Sequence, residues 1–537
     1  MHIKQQRRRR DYLIGGLVAL MSLLGGYSLL LTYAPKANVT AKVSSDQLIL
    51  QVHNKGLHYQ LLGPSDVIHS TQVVGAVAKF SGEKNLIEFP NYPAPVKESA
   101  FPRAITMALT YPWVIQPFVE NIQYHTFLLD SMPLPVVSIS APHRYFFGET
   151  GLYSIKKGSE KKIAYPVHFQ FIDQNEGTWV NGRAKATVAG RSSKRMPMKS
   201  LNLEFYKPIV TTSIFNEANH QKAHSLRLRN GGNDFLLAHM RDAVVSELCQ
   251  STHNIVMDYQ PVATFVNGEF WGIQYLRERI SEEYLSEKYP RLKRIQIRLG
   301  ELRKGKTLVI SNGFDYQLGN LMKFVENADF NLTTDYDSLT RLLNIPNFID
   351  YVALQTFISN NDWPHNNVKA AFLDKKLHFI IYDTDFAFNF PRLYLAQLKN
   401  YLGWPDRIFE TEAINHNYFG SLDTYVPSQV NTIFLTLIKV PVFRQQFIYR
   451  YKELLSTKLT QKRIHDVVDH LSSQLLPLMP EHINRWGYPT SVEDWERNVQ
   501  LIIEFCAQRR SIVLSQLDEL EQSSHESDQY VVKHKGL

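Results

Sequence analysis

The arrangement of apolar and polar residues divides the chain into segments with different predicted structures. Residues 12–35 are mostly apolar and carry no charged side chain. This predicts a membrane-spanning helix, because about 20 such residues cross a hydrocarbon core. From residue 37 to 130, runs such as VTAKVSSDQLILQVHN alternate apolar and polar positions, as half-buried strands do. We therefore expect a membrane anchor followed by a small β-rich domain.

Strand and helix patterns are mixed between residues 131 and 390. The runs PVHFQFID and KSLNLEF predict strands, whereas MRDAVVSELCQ predicts a helix. Asn267 and Gly268 stand between two β-rich runs, and this dipeptide favours a two-residue type I′ turn. The segment therefore predicts a mixed core that contains at least one tight hairpin.

Beyond residue 391 the pattern becomes helical. Apolar residues recur at three- and four-residue spacing in VFRQQFIYRYKELLSTKL and in the segments that follow it, up to about residue 520. Residues 521–537 lack this periodicity and predict a mobile tail. The predicted fold class is α+β, with a cytoplasmic flank and anchor (1–36), a β-rich domain (37–130), a mixed core (131–390), a helical part (391–520) and the tail (521–537).

The net charge of +8 is unevenly distributed. Five of the positive charges, Lys4 and Arg7 to Arg10, precede the apolar stretch, and such residues remain in the cytoplasm. The bulk of the chain is then expected outside the cytoplasm, on the periplasmic side of a bacterial inner membrane. A cleaved signal peptide is the alternative, although its apolar region is usually about 7–15 residues long. Since the remaining chain is nearly charge-balanced, nucleic acid is not an expected partner.

The segment from Pro346 to Phe390 carries most of the candidate chemistry. A predicted helix ends near Asn360, and a polar loop containing Asp362 and Asn367 follows it. Two strand-like runs come next, and the second ends in Asp383-Thr384-Asp385-Phe386-Ala387. The catalytic half of a protein kinase has this element order, with an Asp and an Asn five residues apart and a later Asp-Phe pair.

Phosphoryl transfer explains why these residue types would be needed. A carboxylate orients the attacking hydroxyl group, and further carboxylate and amide oxygens hold Mg²⁺. Asp362 is therefore a candidate catalytic residue, and Asn367, Asp383 and Asp385 are candidate metal ligands. The same residues also commonly cap loops and terminate strands, so the spacing alone leaves a structural role open.

Two further segments contain clusters of polar residues. In VAGRSSKRMPMKSLNLEFYKP, Ser192 and Ser193 predict a tight turn whose N–H groups face a phosphate, and Lys199 projects behind this turn. A hairpin turn with an ordinary surface lysine would look the same. In LRLRNGGNDF, Arg229 and Asn230 lie beside two glycines at a strand-to-helix junction, which suits either a binding site or a buried polar network.

Taken together, these stretches resemble the CotH kinase family of spore-coat-type atypical protein kinases. The shared motifs, in order, are FFGETGLY, AGRSSKRMPMKSL, LRLRNGGND, VNGEFWGIQYLRERI, DWPHNNVK and YDTDFAF. FRQQF and HINRWG look like the C-terminal region of the family. The resemblance covers residues 131 to about 518 and excludes the anchor and the β-rich domain.

The resemblance implies an atypical protein-kinase-like fold, ATP and Mg²⁺ or Mn²⁺ as cofactors, and transfer of the γ-phosphoryl group to Ser or Thr hydroxyls. The acceptor would be a protein or another polymer of the cell envelope. Asp362 matches the catalytic-loop aspartate of the family, and Asp385 matches its metal-binding aspartate. Lys199 matches a lysine in the phosphate-binding segment, and either Glu278 or Glu247 would pair with it. The nucleotide-binding residues would be Lys199, Ser192, Ser193, Arg229, Asn230 and Glu278.

Two other functional classes remain open at this stage. ATP is scarce outside the cytoplasm, so a catalytically weak kinase-fold protein that binds or assembles envelope components is the main alternative. A metal-dependent hydrolase is a third reading, because two-metal sites also collect Asp and Asn. The chain departs from the family at Leu377 and Tyr382, where relatives often have tryptophan, and this departure indicates either weaker nucleotide stacking or a separate subfamily.

Overall fold

The structure is a computed structural model in which a defined part of the chain is described. The described residues are 39–43, 48–52, 57–62, 70–73, 77–79, 104–110, 122–128, 131–155, 163–190, 192–215, 222–303, 306–330, 332–360, 362–364, 366–388 and 428–534. The chain divides into two compact units. One comprises residues 1–86 and 107–127, and the other comprises residues 87–106 and 128–537.

The described residues between 39 and 128 all belong to β-strands. The strands are β1 (Val39–Val43), β2 (Leu48–Val52), β3 (Leu57–Leu62), β4 (Ser70–Val73), β5 (Val77–Lys79), β6 (Ala104–Thr110) and β7 (Ile122–Leu128). They form one sheet of order β1-β2-β5 and a second of order β4-β3-β6-β7. The alternating pattern in this part of the sequence is consistent with such strands.

Seven strands of the larger unit form a closed barrel. They are β8 (Val136–Ser140), β9 (Ala164–Asp173), β10 (Thr178–Val188), β11 (Leu201–Val210), β12 (Lys222–Arg229), β13 (Tyr259–Val266) and β14 (Glu269–Glu278). Their order around the barrel is β10-β11-β12-β14-β13-β8-β9. All neighbours are antiparallel except β8 and β13, which run parallel. Closure leaves no free sheet edge, and residues such as Phe169, Leu203 and Leu226 fill the interior.

The predicted hairpin at Asn267-Gly268 is confirmed. These two residues alone connect β13 to β14, and both have positive φ, 50° for Asn267 and 87° for Gly268. A type I′ turn requires this backbone conformation at both of its central positions, which explains the preference for Asn and Gly. The NGEFWG motif therefore forms this turn and the first residues of β14.

A second, four-stranded antiparallel sheet carries the next predicted hairpin. It consists of β15 (Ile297–Arg303), β16 (Lys306–Val309), β17 (Val368–Leu373) and β18 (Lys376–Ile380), in the order β16-β15-β17-β18. Asp374 and Lys375 form the turn between β17 and β18, and both have positive φ. The hairpin predicted after the Asp362–Asn367 loop is therefore confirmed.

Helices make up most of the remainder, and the predicted helical C-terminal part is confirmed over the described residues. The helices are α1 (His143–Phe147), α2 (Arg241–Leu248), α3 (Glu282–Lys288), α4 (Phe314–Asn327), α5 (Thr333–Leu342), α6 (Ile345–Phe357), α7 (Gln429–Leu437), α8 (Pro441–Thr457), α9 (Gln461–Leu475), α10 (Met479–Trp486) and α11 (Val492–His534). The Asn344 side chain caps α6 by accepting a hydrogen bond from the N–H of Asn347. Helix α6 is buried along its length and contacts α8, α11 and β18. Helix α11 continues to His534, into the segment predicted to be a tail.

The prediction of a single-pass membrane protein requires correction. In the part of the chain that the structure describes, no helix combines the length and the apolar character needed to cross a membrane. The longest described helix, α11, has 43 residues, but charged side chains such as Arg509 and Asp518 recur along it, so it has no long apolar stretch. The predicted anchor, residues 1–36, lies outside the described residues. The extracytoplasmic location inferred from that anchor is therefore dropped.

Candidate active site

Two glycines bring the loop after β12 close to the segment that follows β18. Gly231 and Gly232 both have positive φ, 82° and 66°. A Cβ atom on Gly232 would lie 2.2 Å from Oδ2 of Asp385 and 2.9 Å from Nη2 of Arg229. Because no side chain fits in this space, only glycine permits the close approach. The LRNGGND motif therefore packs closely around the Asp385 carboxylate.

Asp385 is almost completely buried, at 5% exposure. Its Oδ2 atom accepts hydrogen bonds from the backbone N–H of Asn233, at 2.5 Å, and from Nδ2 of Asn233, at 2.9 Å. Its Oδ1 atom is buried and has no hydrogen-bond partner in the part of the chain that the structure describes. A buried carboxylate oxygen without a donor is costly, so this atom is available for a ligand.

The Arg229 guanidinium group faces three carboxylates. Its Nη2 donates to Oδ1 of Asp383 at 2.5 Å and lies 3.8 Å from Oδ2 of Asp385. Its Nε lies 3.4 Å from Oδ2 of Asp242. Burial alone would raise the pKa of Asp383, but the charge and hydrogen bond of Arg229 outweigh it and lower the pKa. Burial and the charge of Asp383 raise the pKa of Asp385.

Asp242, on α2, fixes the position of the segment between residues 383 and 385. Its Oδ1 accepts hydrogen bonds from the backbone N–H and the Oγ1 of Thr384, at 3.0 and 2.8 Å. Its Oδ2 accepts a hydrogen bond from Nη1 of Arg277 on β14, and Arg277 also donates to Ser246. The aspartate segment is thereby tied to both the barrel and α2.

Asp362 lies beside this cluster. The Nδ2 of Asn367 donates to Oδ2 of Asp362 at 2.8 Å, so the pair predicted from the five-residue spacing does meet. Asn367 has φ of 55°, a left-handed conformation that asparagine tolerates better than most residues. Burial, followed by the negative charge of Asp383, raises the pKa of Asp362 to about 6. Asp362, Asn367, Asp383 and Asp385 are thus brought together.

Lys199 is not joined to the aspartates or to a glutamate. Its Nζ donates to the backbone carbonyls of Lys194, at 2.6 Å, and Met196, at 2.9 Å. Glu247 instead accepts a hydrogen bond from the Tyr259 hydroxyl at 2.7 Å. Glu278 lies at the end of β14, where burial and then the charge of Asp258 raise its pKa to about 9. Neither glutamate forms an ion pair with Lys199 within the described residues.

Of the other predicted nucleotide-binding residues, Ser192 and Ser193 precede Lys199 in the chain, and Asn230 contacts the residues on either side of it. Ser192 and Ser193 begin a short 3₁₀ turn (Ser192–Arg195), and the side chain of Ser192 lies outside the described residues. Asn230 is fully buried. Its Oδ1 accepts from Oγ of Ser200, at 2.7 Å, and its Nδ2 donates to Met198 O, at 2.6 Å. Asn230 therefore links the Lys199 segment to the glycine loop, and its amide atoms already have protein partners.

The sequence analysis placed Asn233 and Asp242 among the polar residues of a possible site at the strand-to-helix junction without giving them a role, and it did not single out Arg277. Asn233 belongs to the LRNGGND motif, and Asp242 is the second residue of α2. A polar residue at each of these positions was the available signal. Arg277 gave no local signal, because its partner Asp242 is 35 residues away in the sequence.

The donor set suits a hard divalent cation such as Mg²⁺. Carboxylate and amide oxygens are its preferred protein ligands, and Oδ1 of Asp385 is buried without a partner. Among the residues that the structure describes, no three His, Cys, Asp or Glu side chains form a group that could hold a metal ion. Since Mg²⁺ is usually held by one or two carboxylates together with substrate phosphates, the residues fit an ion that binds with a phosphate-bearing ligand.

The fold and site define an α+β protein with a seven-stranded barrel and a buried cluster of carboxylates at the end of a β-hairpin. Residues 186–513 match the family model described as CotH kinase protein. The match covers more than half of the chain, which therefore belongs to the CotH kinase family. No curated protein matches the chain.

Proposed function

We propose that this protein transfers the γ-phosphoryl group of ATP to Ser or Thr hydroxyls of a protein acceptor, with Mg²⁺ or Mn²⁺ as cofactor. One observation carries the proposal. The buried cluster combines a carboxyl group of raised pKa, Asp362, with a carboxylate oxygen of Asp385 that has no hydrogen-bond partner among the described residues. The membership of the CotH kinase family supports the same class of reaction.

Asp362 is proposed to accept the proton of the attacking hydroxyl group. With a pKa of about 6, it is mostly ionised at neutral pH and yet basic enough to take a proton, as a general base near its working pH should be. The hydrogen bond from Asn367 fixes Oδ2. Its other oxygen, Oδ1, is then the atom that faces the acceptor.

Asp385 and Asn367 are the residues that would hold the metal ion. When bound with ATP, such an ion neutralises charge on the phosphate oxygens. Asp383 is a weaker candidate ligand, because its Oδ1 already binds Arg229. Its role is instead to anchor Arg229 and to keep negative charge near Asp362 and Asp385. We assign the barrel and the helical region that follows it to one atypical kinase-like domain.

A second candidate is a kinase-fold protein that binds a ligand with little or no turnover. The position of Lys199 favours it, because its ammonium group is bound by backbone carbonyls of its own turn. Protein kinases pair the corresponding lysine with a glutamate to hold the nucleotide phosphates. If this pair is absent, phosphoryl transfer would be weak or would depend on other cations.

The decisive experiment uses the full chain with γ-labelled ATP, Mg²⁺ or Mn²⁺, and a mixture of candidate acceptor proteins. We expect label in the protein itself or in an acceptor, and loss of labelling in Asp362→Asn and Asp385→Asn. Asp337→Asn, an exposed acid on α5, is the matched control and should label normally. Absence of any labelling by the wild-type chain would defeat the kinase proposal. Full labelling by both site variants would defeat the assignment of the residues.

A further inference from the structure

Two cations next to the carboxylate cluster lack an anionic partner. Lys369 on β17 and Arg227 on β12 both lie close to Tyr382, the residue before Asp383. Neither forms an ion pair with a carboxylate in the described part of the chain, whereas their neighbour Arg229 pairs with Asp383. This contrast separates them from the arginines that hold the aspartate segment in place.

Lys369 is a buried lysine, with 9% of its surface exposed. Its Nζ lies 3.9 Å from the centre of the Tyr382 ring, a cation–π contact. Within the described residues no hydrogen bond or ion pair involves this ammonium group. Lysine is rarely buried without a partner, so the position is unfavourable unless an anion approaches it.

Arg227 approaches the same tyrosine from β12. Its Nη1 donates to the Tyr382 hydroxyl at 3.3 Å, and its Nε donates to Oδ1 of Asn202 at 2.9 Å. Both partners are neutral groups, and Nη2 has no hydrogen bond among the described residues. Asn202 and Tyr382 thus orient Arg227, and Tyr382 packs against Lys369, but neither cation forms an ion pair among the described residues.

The location of this pair agrees with a phosphate-bearing ligand. Lys369 lies two residues after Asn367, which contacts Asp362. Tyr382 immediately precedes Asp383. Burial raises the pKa of that carboxyl group and Arg229 lowers it, and Arg227 and Lys369 lower it further by smaller amounts. The cations therefore border the carboxylates on one side of the site. Lys199, by contrast, already uses its ammonium group in backbone hydrogen bonds.

We propose that Lys369 and Arg227 form a clamp for the phosphate groups of the phosphoryl donor, and that Tyr382 orients both cations. This inference rests on the proposed function in one respect, that the donor is a nucleoside triphosphate. Lys369 covers one face of the Tyr382 ring. Tyr382 therefore supports the clamp through that face instead of presenting it to a nucleotide base.

The test compares the affinities of ATP and adenosine, measured by titration calorimetry with Mg²⁺ on the full chain. In Lys369→Met, which keeps the apolar stem, ATP affinity should fall by about ten- to a hundredfold, the usual effect of losing a charged hydrogen bond. Adenosine affinity should not change. Lys369→Arg should recover part of the loss, and Arg227→Met should show the same selective defect.

Lys375→Met is the matched control, because Lys375 is exposed in the turn of the same hairpin and should bind ATP normally. Equal loss of ATP and adenosine binding in Lys369→Met would show a structural role and overturn the clamp. Unchanged ATP affinity in both Lys369→Met and Arg227→Met would also overturn it, while leaving the kinase proposal intact.

Inorganic tripolyphosphate separates the clamp from the kinase proposal. If the wild-type chain transfers no phosphoryl group but binds tripolyphosphate, and Lys369→Met loses this binding, the clamp stands and the kinase function fails. If the wild-type chain binds neither tripolyphosphate nor ATP, the clamp fails.

Discussion

Two buried arginines of the larger unit differ in the number of carboxylates that lie against them. Arg485, in the HINRWG motif of α10, donates to Oε1 of Glu269 at 2.6 Å, and its guanidinium carbon lies 3.9 Å from the centre of the Trp271 ring. Arg229 instead lies within 4 Å of carboxylate oxygens from three aspartates, Asp242, Asp383 and Asp385. The first arginine is paired with one acid, whereas the second lies against three.

The surroundings of Arg485 are filled by protein groups. Nε1 of Trp486 donates to the carbonyl of Trp271 at 2.7 Å, and Nδ1 of His482 accepts from the N–H of Ile273 at 3.0 Å. A Cβ atom on Gly272 would lie 2.8 Å from Nε1 of Trp486. Helix α10 is therefore docked closely onto the NGEFWG hairpin. Tight packing around a balanced ion pair is what a structural contact requires.

The surroundings of Arg229 bring several buried carboxylates close together. Asp362 and Asp385 both have raised pKa values, caused first by burial and then by the charge of Asp383. Perturbed pKa values of this kind are concentrated at functional sites. The comparison teaches that two motifs of the same family can use buried arginine for different purposes. The number of carboxylates in contact with each arginine, more than burial, distinguishes them.

The largest expected effect is the drop in the rate of phosphoryl transfer in the Asp362→Asn variant. Loss of a general base lowers the rate by about a hundred- to ten-thousandfold. The variant should be no less stable than wild type, because it removes a buried like charge next to Asp383. Rates of labelled phosphate transfer and thermal melting at pH 7.5 measure the two effects. A large drop in melting temperature would mean that Asp362 is structural, like Arg485.

The next effect is on stability, in Arg485→Met and Arg229→Met. Removing one partner of a buried ion pair destabilises a protein by about 3–5 kcal/mol, and both variants should show a loss of this size in urea unfolding. Arg229→Met leaves Asp383 and Asp385 without their arginine, whereas Arg485→Met leaves a single glutamate. Added Mg²⁺ should therefore restore part of its stability by binding the folded state, and should have no such effect on Arg485→Met. Equal responses of the two variants to Mg²⁺ would remove the distinction.

The pH dependence of the rate provides a smaller effect. Protonation of Asp362 abolishes its ability to accept a proton, so kcat/KM should fall about tenfold per pH unit below its pKa, which is about 6. Measurements of initial rates between pH 5 and 8 test this, and thermal melts at each pH show whether the protein remains folded. A rate that stays constant down to pH 5 would rule out Asp362 as the base.

The smallest effect concerns Glu278, a buried acid of the barrel outside both arginine contacts. Its pKa is raised from 4.5 to about 9, so the folded chain keeps a proton that the unfolded chain releases above its ordinary pKa. Stability in the wild type therefore decreases as pH rises between these two values. Glu278→Gln removes this dependence and should melt a few degrees higher at pH 8, with a smaller difference at pH 5. Glu176→Gln, at an exposed turn, should melt like wild type at both pH values.

Local sequence patterns predicted much of the larger unit. The hairpins at Asn267-Gly268 and Asp374-Lys375, helix α2 and the C-terminal helices follow from turn chemistry and apolar spacing within a few residues. The spacing of Asp362 and Asn367 also indicated a pair that meets. The membrane placement was wrong because it was inferred from the length and flank of one apolar stretch, and no described helix can span a membrane.

The partners of the buried charges could not be predicted in the same way. Arg229 and Asp383 are 154 residues apart, and Asn233 and Asp385 are 152 residues apart. The sequence pattern suggested that Lys199 pairs with Glu278 or Glu247. Its ammonium group instead binds carbonyls three and five residues away. Lys369 belongs to the DWPHNNVK motif, but its contact with the Tyr382 ring follows only from the fold.

The sequence by itself determined the element types, the tight turns and the family, because these depend on neighbouring residues and on ordered motifs. Only the tertiary structure decided that seven strands close into a barrel through the parallel pairing of β8 and β13, and that one arginine faces three aspartates. Such pairings join distant parts of the chain, and their electrostatic consequences depend on burial and on every charge within a few ångströms. For this reason the grouping of carboxylates that separates the site from the structural contact is a property of the folded chain.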